Sequence, residues 1–167
     1  MKLLFTHRSP EVSVKSKVEI GEADFDVGLE CRQLAAISAS SGAIAQFVGV
    51  MRDHNQGDSV VTMELEHYPG MTENSIARIV DRAAERWPLL AATVIHRVGV
   101  LRPGEQIVFV GVCSPHRHDA FQACEFVMDY LKTEAPFWKK EYTVNGQARW
   151  LDARSSDSES LARWQAD

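Results

Sequence analysis

The sequence predicts an α+β fold in which helices pack on a mainly antiparallel sheet. Strand-like segments outnumber helical ones, and the short connections between them favour antiparallel neighbours. In addition, two strands followed by a helix occur twice along the chain. The 167 residues, 45% of them apolar, suffice for one hydrophobic core. We therefore expect a single domain over residues 1–154 and a C-terminal tail over 155–167.

The first part of the chain predicts three strands and one short helix. Residues 12–20 alternate between polar and apolar side chains, as a half-buried strand does. Asp26 is a suitable N-cap for a helix that ends near Ile37. Two β-rich runs follow at 42–52 and 60–68, and the short polar segment between them predicts that they pair with each other.

The middle of the chain begins with an amphipathic helix. Apolar residues recur at helical spacing from Thr72 to Trp87, and Thr72 is the expected N-cap. Two strands, at 92–99 and 107–113, then flank the turn-like segment LRPGEQ. A second helical pattern follows, with apolar residues at 121, 124, 127, 128 and 131.

The end of the chain predicts one more hairpin. Residues 137–144 and 148–153 flank Asn145-Gly146, a dipeptide typical of tight turns between antiparallel strands. From Ser155 the sequence is rich in serine and charge, which predicts a mobile tail or a short helix.

Composition excludes several classes of protein. The net charge of -5 argues against general nucleic-acid binding, which depends on neutralising many phosphates. We expect no secretory signal and no membrane span, because the apolar runs are too short. Cys31, Cys113 and Cys124 are odd in number and lack the spacing of zinc ligands, so we expect no disulfide framework, no metal site and a reducing cytoplasm.

One group of basic side chains lies at the start of the second long helix. His116, Arg117 and His118 fall near its first turn, where the helix dipole favours anions and free N–H groups can bind phosphate. Arg52 and His54 lie in a polar loop that also suits a polar ligand. In both places the alternative is an ordinary solvated surface.

A second basic group surrounds Pro136 in the segment DYLKTEAPFWKKE. Lys132 is near the C-terminal end of the helix, where a cation suits the dipole and needs no functional explanation. Pro136 ends the helix, and Lys139 and Lys140 follow on a strand. Because neighbouring side chains on a strand point to opposite faces, we expect these two lysines to diverge.

Several motifs together carry a family resemblance. The segments FVGVMRDHNQGDSV, LEHYPGMTE, VIHRVG, PGEQIVFVGV, HRHDAF and DYLKTEAPFWKKE resemble those of the large, catalytic subunits of molybdopterin synthase. The likeness runs from about Phe47 to Arg154. It implies a fold of the α/β hammerhead type.

The resemblance also implies a reaction and its participants. In that family, cyclic pyranopterin monophosphate gains two sulfurs and becomes the dithiolene molybdopterin, a step of molybdenum cofactor biosynthesis. The sulfur arrives as a C-terminal thiocarboxylate on a small ubiquitin-like subunit, which explains why the chain needs no nucleophilic cysteine. The family implies a homodimer of large subunits within a heterotetramer, and no cofactor, nucleic acid or membrane.

Site residues follow from the same motifs. The resemblance implies that Lys132 and Lys139 are catalytic, by donating a proton or stabilising negative charge near the thiocarboxylate and the cyclic phosphate. The other matched positions would bind or line the substrate pocket: Val50, Met51, Arg52, His116, Arg117, Lys140, Glu141 and Arg154.

Two other functions fit parts of the pattern. A non-enzymatic module would bind a nucleotide or RNA by stacking on Trp138 and pairing with the nearby lysines. A phosphoesterase would use His116 and His118, although the sequence offers no carboxylate cluster to hold a metal with them.

Overall fold

The computed structural model describes residues 14–151 and 155–165. Within these ranges the chain forms nine strands and four helices: β1 (Lys15–Gly21), α1 (Val27–Ala35), β2 (Ala43–Val50), β3 (His54–Asn55), β4 (Asp58–His67), α2 (Met71–Arg86), β5 (Ala91–Arg97), β6 (Gly99–Leu101), β7 (Gln106–Ser114), α3 (Arg117–Glu134), β8 (Phe137–Thr143), β9 (Ala148–Leu151) and α4 (Ser155–Gln165). None of the helices in these ranges has the length and apolar content needed to cross a membrane. The predicted α+β class is confirmed.

A four-stranded sheet forms the centre of the molecule, in the order β1-β5-β7-β2. Strand β1 runs parallel to β5, and the other pairs are antiparallel. Along β7 the side chains alternate: Val108, Val110 and Val112 face the core beneath α2 and α3, whereas Phe109 and Cys113 face α1. Because both faces are covered, the strand is apolar at nearly every position.

Helices α2 and α3 form where the apolar periodicity predicts them. Helix α2 buries Ile76, Ile79, Val80 and Ala83 on one face. Its N-cap is Gly70, at φ +81°, and not the predicted Thr72. The Thr72 hydroxyl instead accepts from the Tyr68 N–H at 3.0 Å and donates to the Pro136 carbonyl at 3.0 Å. It therefore links the start of α2 to the end of α3.

Helix α4 packs on α3. Of the two alternatives for the segment after Ser155, a mobile tail or a short helix, the structure shows the helix. Trp164 enters the core beside Trp87 and Phe126, with ring centroids 5.8 and 5.4 Å away, and its indole N–H donates to Asp129 at 2.7 Å.

A second sheet has five strands. Its order is β3-β4-β8-β9, and β6 pairs with β4. One face covers a small core formed by Met51, Val60, Met63, Leu65 and Leu101. The other face exposes large apolar side chains, including Val100, Trp138 and Trp150.

The predicted pairing of 42–52 with 60–68 is wrong. Strand β2 instead pairs with β7 in the four-stranded sheet, whereas β4 pairs with β8 in the other. The hairpin within the intervening polar segment joins only β3 to β4, through Gln56 and Gly57 at positive φ. The hairpin between β8 and β9 and the pairing of β5 with β7 are confirmed.

Candidate active site

Three structural elements bring basic residues to one end of the four-stranded sheet. Helix α3 follows β7 after a short turn and packs back along it, so that Cys124, near mid-helix, lies 3.8 Å from the Val110 carbonyl, at mid-strand. The C-terminal end of α3 therefore lies beside the start of β7. The antiparallel β2 ends there as well, since Val50 pairs with Gln106. Arg52 and Lys132 are thus at the same end of the sheet.

Lys132 lies near the C-terminus of α3. Its side chain is 53% exposed, and Nζ is 3.6 Å from Asp157 Oδ1 in the first turn of α4. Because the ion pair is long and half exposed, the ammonium group stays accessible to a ligand.

Strand β8 carries the other two lysines. Lys140 Nζ lies 5.3 Å from the ring centroids of both Tyr142 and Trp150, on the open face of the five-stranded sheet. Lys139 lies on the opposite face, where its charge acts on His96. The predicted divergence of the two lysines is confirmed.

His96 lies beneath this strand. Its ring stacks on Phe137 with centroids 3.9 Å apart, and Nδ1 donates to the Arg97 carbonyl at 2.8 Å. Burial lowers the pKa of His96 to about 4; the charges of Lys139 and His67 act in the same direction, and the bond to the Arg97 carbonyl opposes them. At neutral pH the imidazole is therefore uncharged. It lies next to β8, which we call the lysine strand because it carries Lys139 and Lys140.

Glu141 is buried at 6% exposure on the Lys139 face of β8. Asn55 Nδ2 donates to its two carboxylate oxygens at 2.8 and 3.0 Å, and Arg149 Nη2 donates to Oε2 at 3.2 Å. The carboxylate therefore braces β3 and β9 against the lysine strand.

The segment after β2 forms a cavity. Arg52, His54, Asn55, Gln56 and Gly57 line a volume of about 240 Å³. The His54 ring bonds the Asp53 carboxylate at 2.9 Å, and this contact holds the pKa of Asp53 below its usual range. The exposed Arg52 guanidinium gives the cavity a positive group suited to an anion.

Val50 and Met51 precede this cavity. The Val50 side chain is half exposed, whereas that of Met51 is buried in the small core. The Met51 N–H donates to the Glu105 carbonyl at 2.9 Å, and its own carbonyl accepts from Gly104 N–H at 2.9 Å. The N–H of Met51 is thus already bonded within the chain.

His116 and Arg117 lie at the other end of α3. His116 is the N-cap, Arg117 is the first helical residue, and both are exposed. Lys132 follows Arg117 by fifteen positions on the helix, which corresponds to about 22 Å along the axis. One copy of the chain therefore does not bring these two groups together. Arg154, the remaining predicted site residue, lies outside the described residues.

The thiols of the three cysteines differ in burial. Cys113 and Cys124 are buried, and burial raises the pKa of the Cys124 thiol to about 12. Cys31 is partly exposed on α1. Across 14–151 and 155–165, no group of three or more His, Cys, Asp or Glu side chains is arranged to hold a metal.

One residue at this end of the molecule was missed from sequence. The hairpin predicted around Asn145-Gly146 places Arg149 opposite Glu141, but its contacts with Asn55 and Asp58, more than 90 residues away in the chain, gave no local signal. His96, in contrast, is the satisfied core residue that a histidine within a strand usually is: it is buried, and its Nδ1 is bonded to the Arg97 carbonyl.

Comparison with known proteins identifies the family. The family model described as "MoaE protein" matches residues 20–134. The chain is 60% identical over 147 residues to the molybdopterin synthase catalytic subunit of Ralstonia nicotianae, covering 88% of this chain and 83% of that protein. It is 54% identical to the subunit of the same name from Escherichia coli, covering 90% and 99%.

Solved structures agree with these matches. The MoaE protein from Burkholderia ambifaria superposes with a TM-score of 0.78 at 51% identity, covering 91% of this chain and 99% of that one. A complex of subunits 1 and 2 of the molybdopterin-converting factor from Helicobacter pylori shares the fold, with a TM-score of 0.66 at 20% identity, covering 84% and 92%.

The fold and the matches to known proteins together define the class of this protein: it is an α+β enzyme subunit of molybdopterin biosynthesis. The chain belongs to the MoaE family, in which the relatives named above are catalytic subunits of molybdopterin synthase. This membership argues against the non-enzymatic binding module.

Proposed function

We propose that the chain transfers sulfur from a thiocarboxylated small subunit to cyclic pyranopterin monophosphate and so forms the dithiolene of molybdopterin. The observation that carries the proposal is the location of Arg52 and Lys132 at one end of the four-stranded sheet, where the charge of Lys139 also acts on His96, the partner of Val108 near the start of β7. The substrate is a phosphate ester, and the incoming sulfur is an anion. Both need positive groups that are fixed before they bind.

Sulfur enters with the partner in this proposal. The thiocarboxylate sulfur attacks a carbon of the pterin side chain and forms a C–S bond. Water then attacks the thioester carbonyl of the partner, which leaves as a carboxylate while the sulfur stays on the pterin. Two such deliveries supply the two sulfurs of the dithiolene. In one, the phosphate oxygen leaves the attacked carbon as the cyclic phosphate opens; in the other, the second side-chain carbon loses its oxygen as water.

Lys132 and Lys139 have the catalytic roles. Lys132 donates a proton to, or stabilises negative charge on, the oxygen released when the cyclic phosphate opens. Its half-exposed ammonium group supports this role, because a ligand can replace the long contact with Asp157. Lys139 orients or neutralises the same centre from β8.

Substrate binding falls to the surrounding residues. Arg52 binds the phosphate from its cavity, with the backbone of Val50 and Met51 beside it. The buried Glu141 braces the pocket from the Lys139 face of β8, whereas Lys140 projects from the opposite, open face and is available only to a ligand that reaches that face. By resemblance, Arg154 adds a further cation.

His116 and Arg117 act from a second copy of the chain. Since about 22 Å of helix separates Arg117 from Lys132, both groups serve one substrate only if a homodimer brings the start of one α3 towards the end of the other. The small subunit binds outside this pair, which gives the heterotetramer. The two-subunit complex from Helicobacter pylori supports a small-subunit partner.

The test is conversion of cyclic pyranopterin monophosphate to molybdopterin by the purified chain with thiocarboxylated small subunit. We expect product with wild type, and loss of product with intact small-subunit binding for Lys132→Ala. Lys15→Ala, which removes an exposed lysine from β1, is the matched control and should behave as wild type. No product with wild type would refute the function, whereas full activity of Lys132→Ala would refute only the role of that lysine.

A further inference from the structure

The side chain of Arg149 joins three strands of the five-stranded sheet. Its Nη1 donates to Asp58 Oδ2 at 2.8 Å, and Nη2 donates to the Asn55 carbonyl at 3.0 Å. Nη2 and Nε also donate to Glu141 Oε2, at 3.2 and 3.4 Å. We call these four residues, Arg149, Glu141, Asn55 and Asp58, the Arg149 clamp.

The clamp differs from an ordinary surface ion pair. Glu141 is buried, and its carboxylate accepts four hydrogen bonds, two from Asn55 and two from Arg149. Charge-assisted bonds to a buried carboxylate are strong, and removing one partner leaves a charge without compensation. The geometry of the clamp is therefore fixed much more firmly than that of an exposed pair.

The segment held by the clamp is short. Two further contacts support it: the Val60 N–H donates to the Asp53 carbonyl at 2.7 Å, and Ser59 Oγ lies 3.2 Å from His54 Nε2. Strand β3 contains only His54 and Asn55, which pair with Ser59 and Asp58 of β4. The turn between them has Gln56 and Gly57 at positive φ. These residues, with Arg52, line the cavity of about 240 Å³. Arg52 thus lies between Met51, whose backbone is bonded to Glu105 and Gly104, and the segment that the clamp holds at Asn55.

The other end of the clamp is the lysine strand. Glu141 is two residues after Lys139 and shares its face of β8. The register pairs Glu141 with Arg149 on β9 and with Met63 on β4. A single carboxylate therefore links the segment that bears Arg52 to the strand that bears Lys139.

We propose that Arg149 is a positioning residue which sets the placement of Arg52 relative to Lys139 and so determines how tightly the substrate's phosphate is bound. The proposal rests on the function proposed above for the identity of the anion. Arginine is needed because three acceptors on three strands require a planar group with several N–H donors, whereas lysine presents one nitrogen.

The matched control is another cation paired with a buried glutamate. Lys17 Nζ lies 2.9 and 3.1 Å from the carboxylate oxygens of Glu30, which is 5% exposed. This pair joins β1 to α1 on the four-stranded sheet. Lys17→Met and Arg149→Met each remove the cation from a buried carboxylate, but only the second acts on the Arg52 segment.

The first experiment measures steady-state kinetics of both methionine variants and of Arg149→Lys, after thermal unfolding has shown that each is folded. We expect KM for the cyclic phosphate substrate to rise about tenfold in Arg149→Met, with kcat within about threefold of wild type. Arg149→Lys should recover only part of this loss. An unchanged KM in Arg149→Met, or an equal rise in Lys17→Met, would overturn the proposal.

The second experiment does not depend on turnover. Amide hydrogen exchange over residues 53–59 should become faster in Arg149→Met and stay unchanged in Lys17→Met. If wild type makes no product, the proposed function fails while this measurement still decides whether Arg149 holds the segment. Unchanged exchange in Arg149→Met would refute the clamp, and Arg149→Lys serves the same test if the methionine variant does not fold.

Discussion

The two sheets differ in what covers them. The four-stranded sheet has α1 on one face and α2 and α3 on the other, and the central β7 is buried from Val108 to Ser114. The five-stranded sheet covers a small core with one face and leaves the other open, with Trp150 54% exposed. Charged groups avoid a large desolvation cost on an open or half-covered sheet. The lysine strand and Arg149 accordingly belong to the second sheet, and the first supplies stability.

This division predicts unequal effects of mutation. Changes in the four-stranded sheet should lower the free energy of unfolding. The molecules that still fold should keep the activity of wild type. Changes in the five-stranded sheet should cost less unfolding free energy and should alter substrate binding or turnover more.

The largest effect is expected for Phe109→Ala. Phe109 is fully buried between β7 and α1, where it packs near Phe25 and Leu34. Its truncation should cost about 3–5 kcal/mol of unfolding free energy, measured by urea denaturation. Trp150→Ala, on the open face, should cost much less. Equal losses in the two variants would contradict the comparison between the sheets.

The next effect is a pH dependence that originates at His96. Its pKa is about 4 in the folded chain and near 6.5 when unfolded, so the unfolded chain binds more protons between these values. Stability contributed by the neutral imidazole is therefore present above pH 6.5 and is lost as pH falls towards 4. Wild type should lose about 2 kcal/mol from this group between pH 7 and pH 5.

The variant His96→Phe isolates that contribution. It keeps an aromatic ring against Phe137 and removes the titrating group. Denaturation curves at pH 7 and pH 5 should differ less for this variant than for wild type. The same slope in both proteins would show that groups other than His96 cause the pH dependence.

A smaller effect is expected at Gly146, in the turn between β8 and β9. Its φ of +75° is left-handed, so Gly146→Ala should cost about 1 kcal/mol of stability. Gly21→Ala is the control, because an added Cβ there has open space. Since β9 carries Arg149, we expect the turn variant also to raise KM. Equal stability of the two alanine variants would argue against strain at this turn.

The smallest effect is expected for Cys31→Ser. If sulfur comes only with the small subunit, removal of the accessible thiol should leave product formation unchanged. Alkylation of the native protein should label Cys31 in preference to Cys124, whose burial raises its thiol pKa to about 12. Mass spectrometry would locate the label. Loss of activity in Cys31→Ser would indicate that the chain itself carries sulfur.

Local patterns predicted much of the fold correctly. Apolar residues that recur about every 3.6 positions predicted α2 and α3. The alternation of side chains along a strand predicted that Lys139 and Lys140 lie on opposite faces of β8. The hairpin around Gly146 followed from turn chemistry. These features depend on residues close together in the chain, where sequence and geometry correspond directly.

Long-range pairing was less accessible to sequence. Strands β2 and β4 are neighbours along the chain, yet they belong to different sheets, because β7 and β8 arrive later and pair with them. The contacts of Arg149 with Asn55 and Asp58 could not be predicted for the same reason, whereas its contact with Glu141 lies within the predicted hairpin. The separation of Arg117 from Lys132, in contrast, follows from the length of α3 alone.

The tryptophans give the two sheets separate optical signals. Of the four, Trp87 and Trp164 lie in one aromatic cluster beside Phe126, behind the four-stranded sheet, whereas Trp138 and Trp150 are exposed on the open face. Fluorescence should therefore contain a blue-shifted emission shielded from iodide and a red-shifted emission that iodide quenches. A ligand or subunit that covers the open face would protect the second population without altering the first.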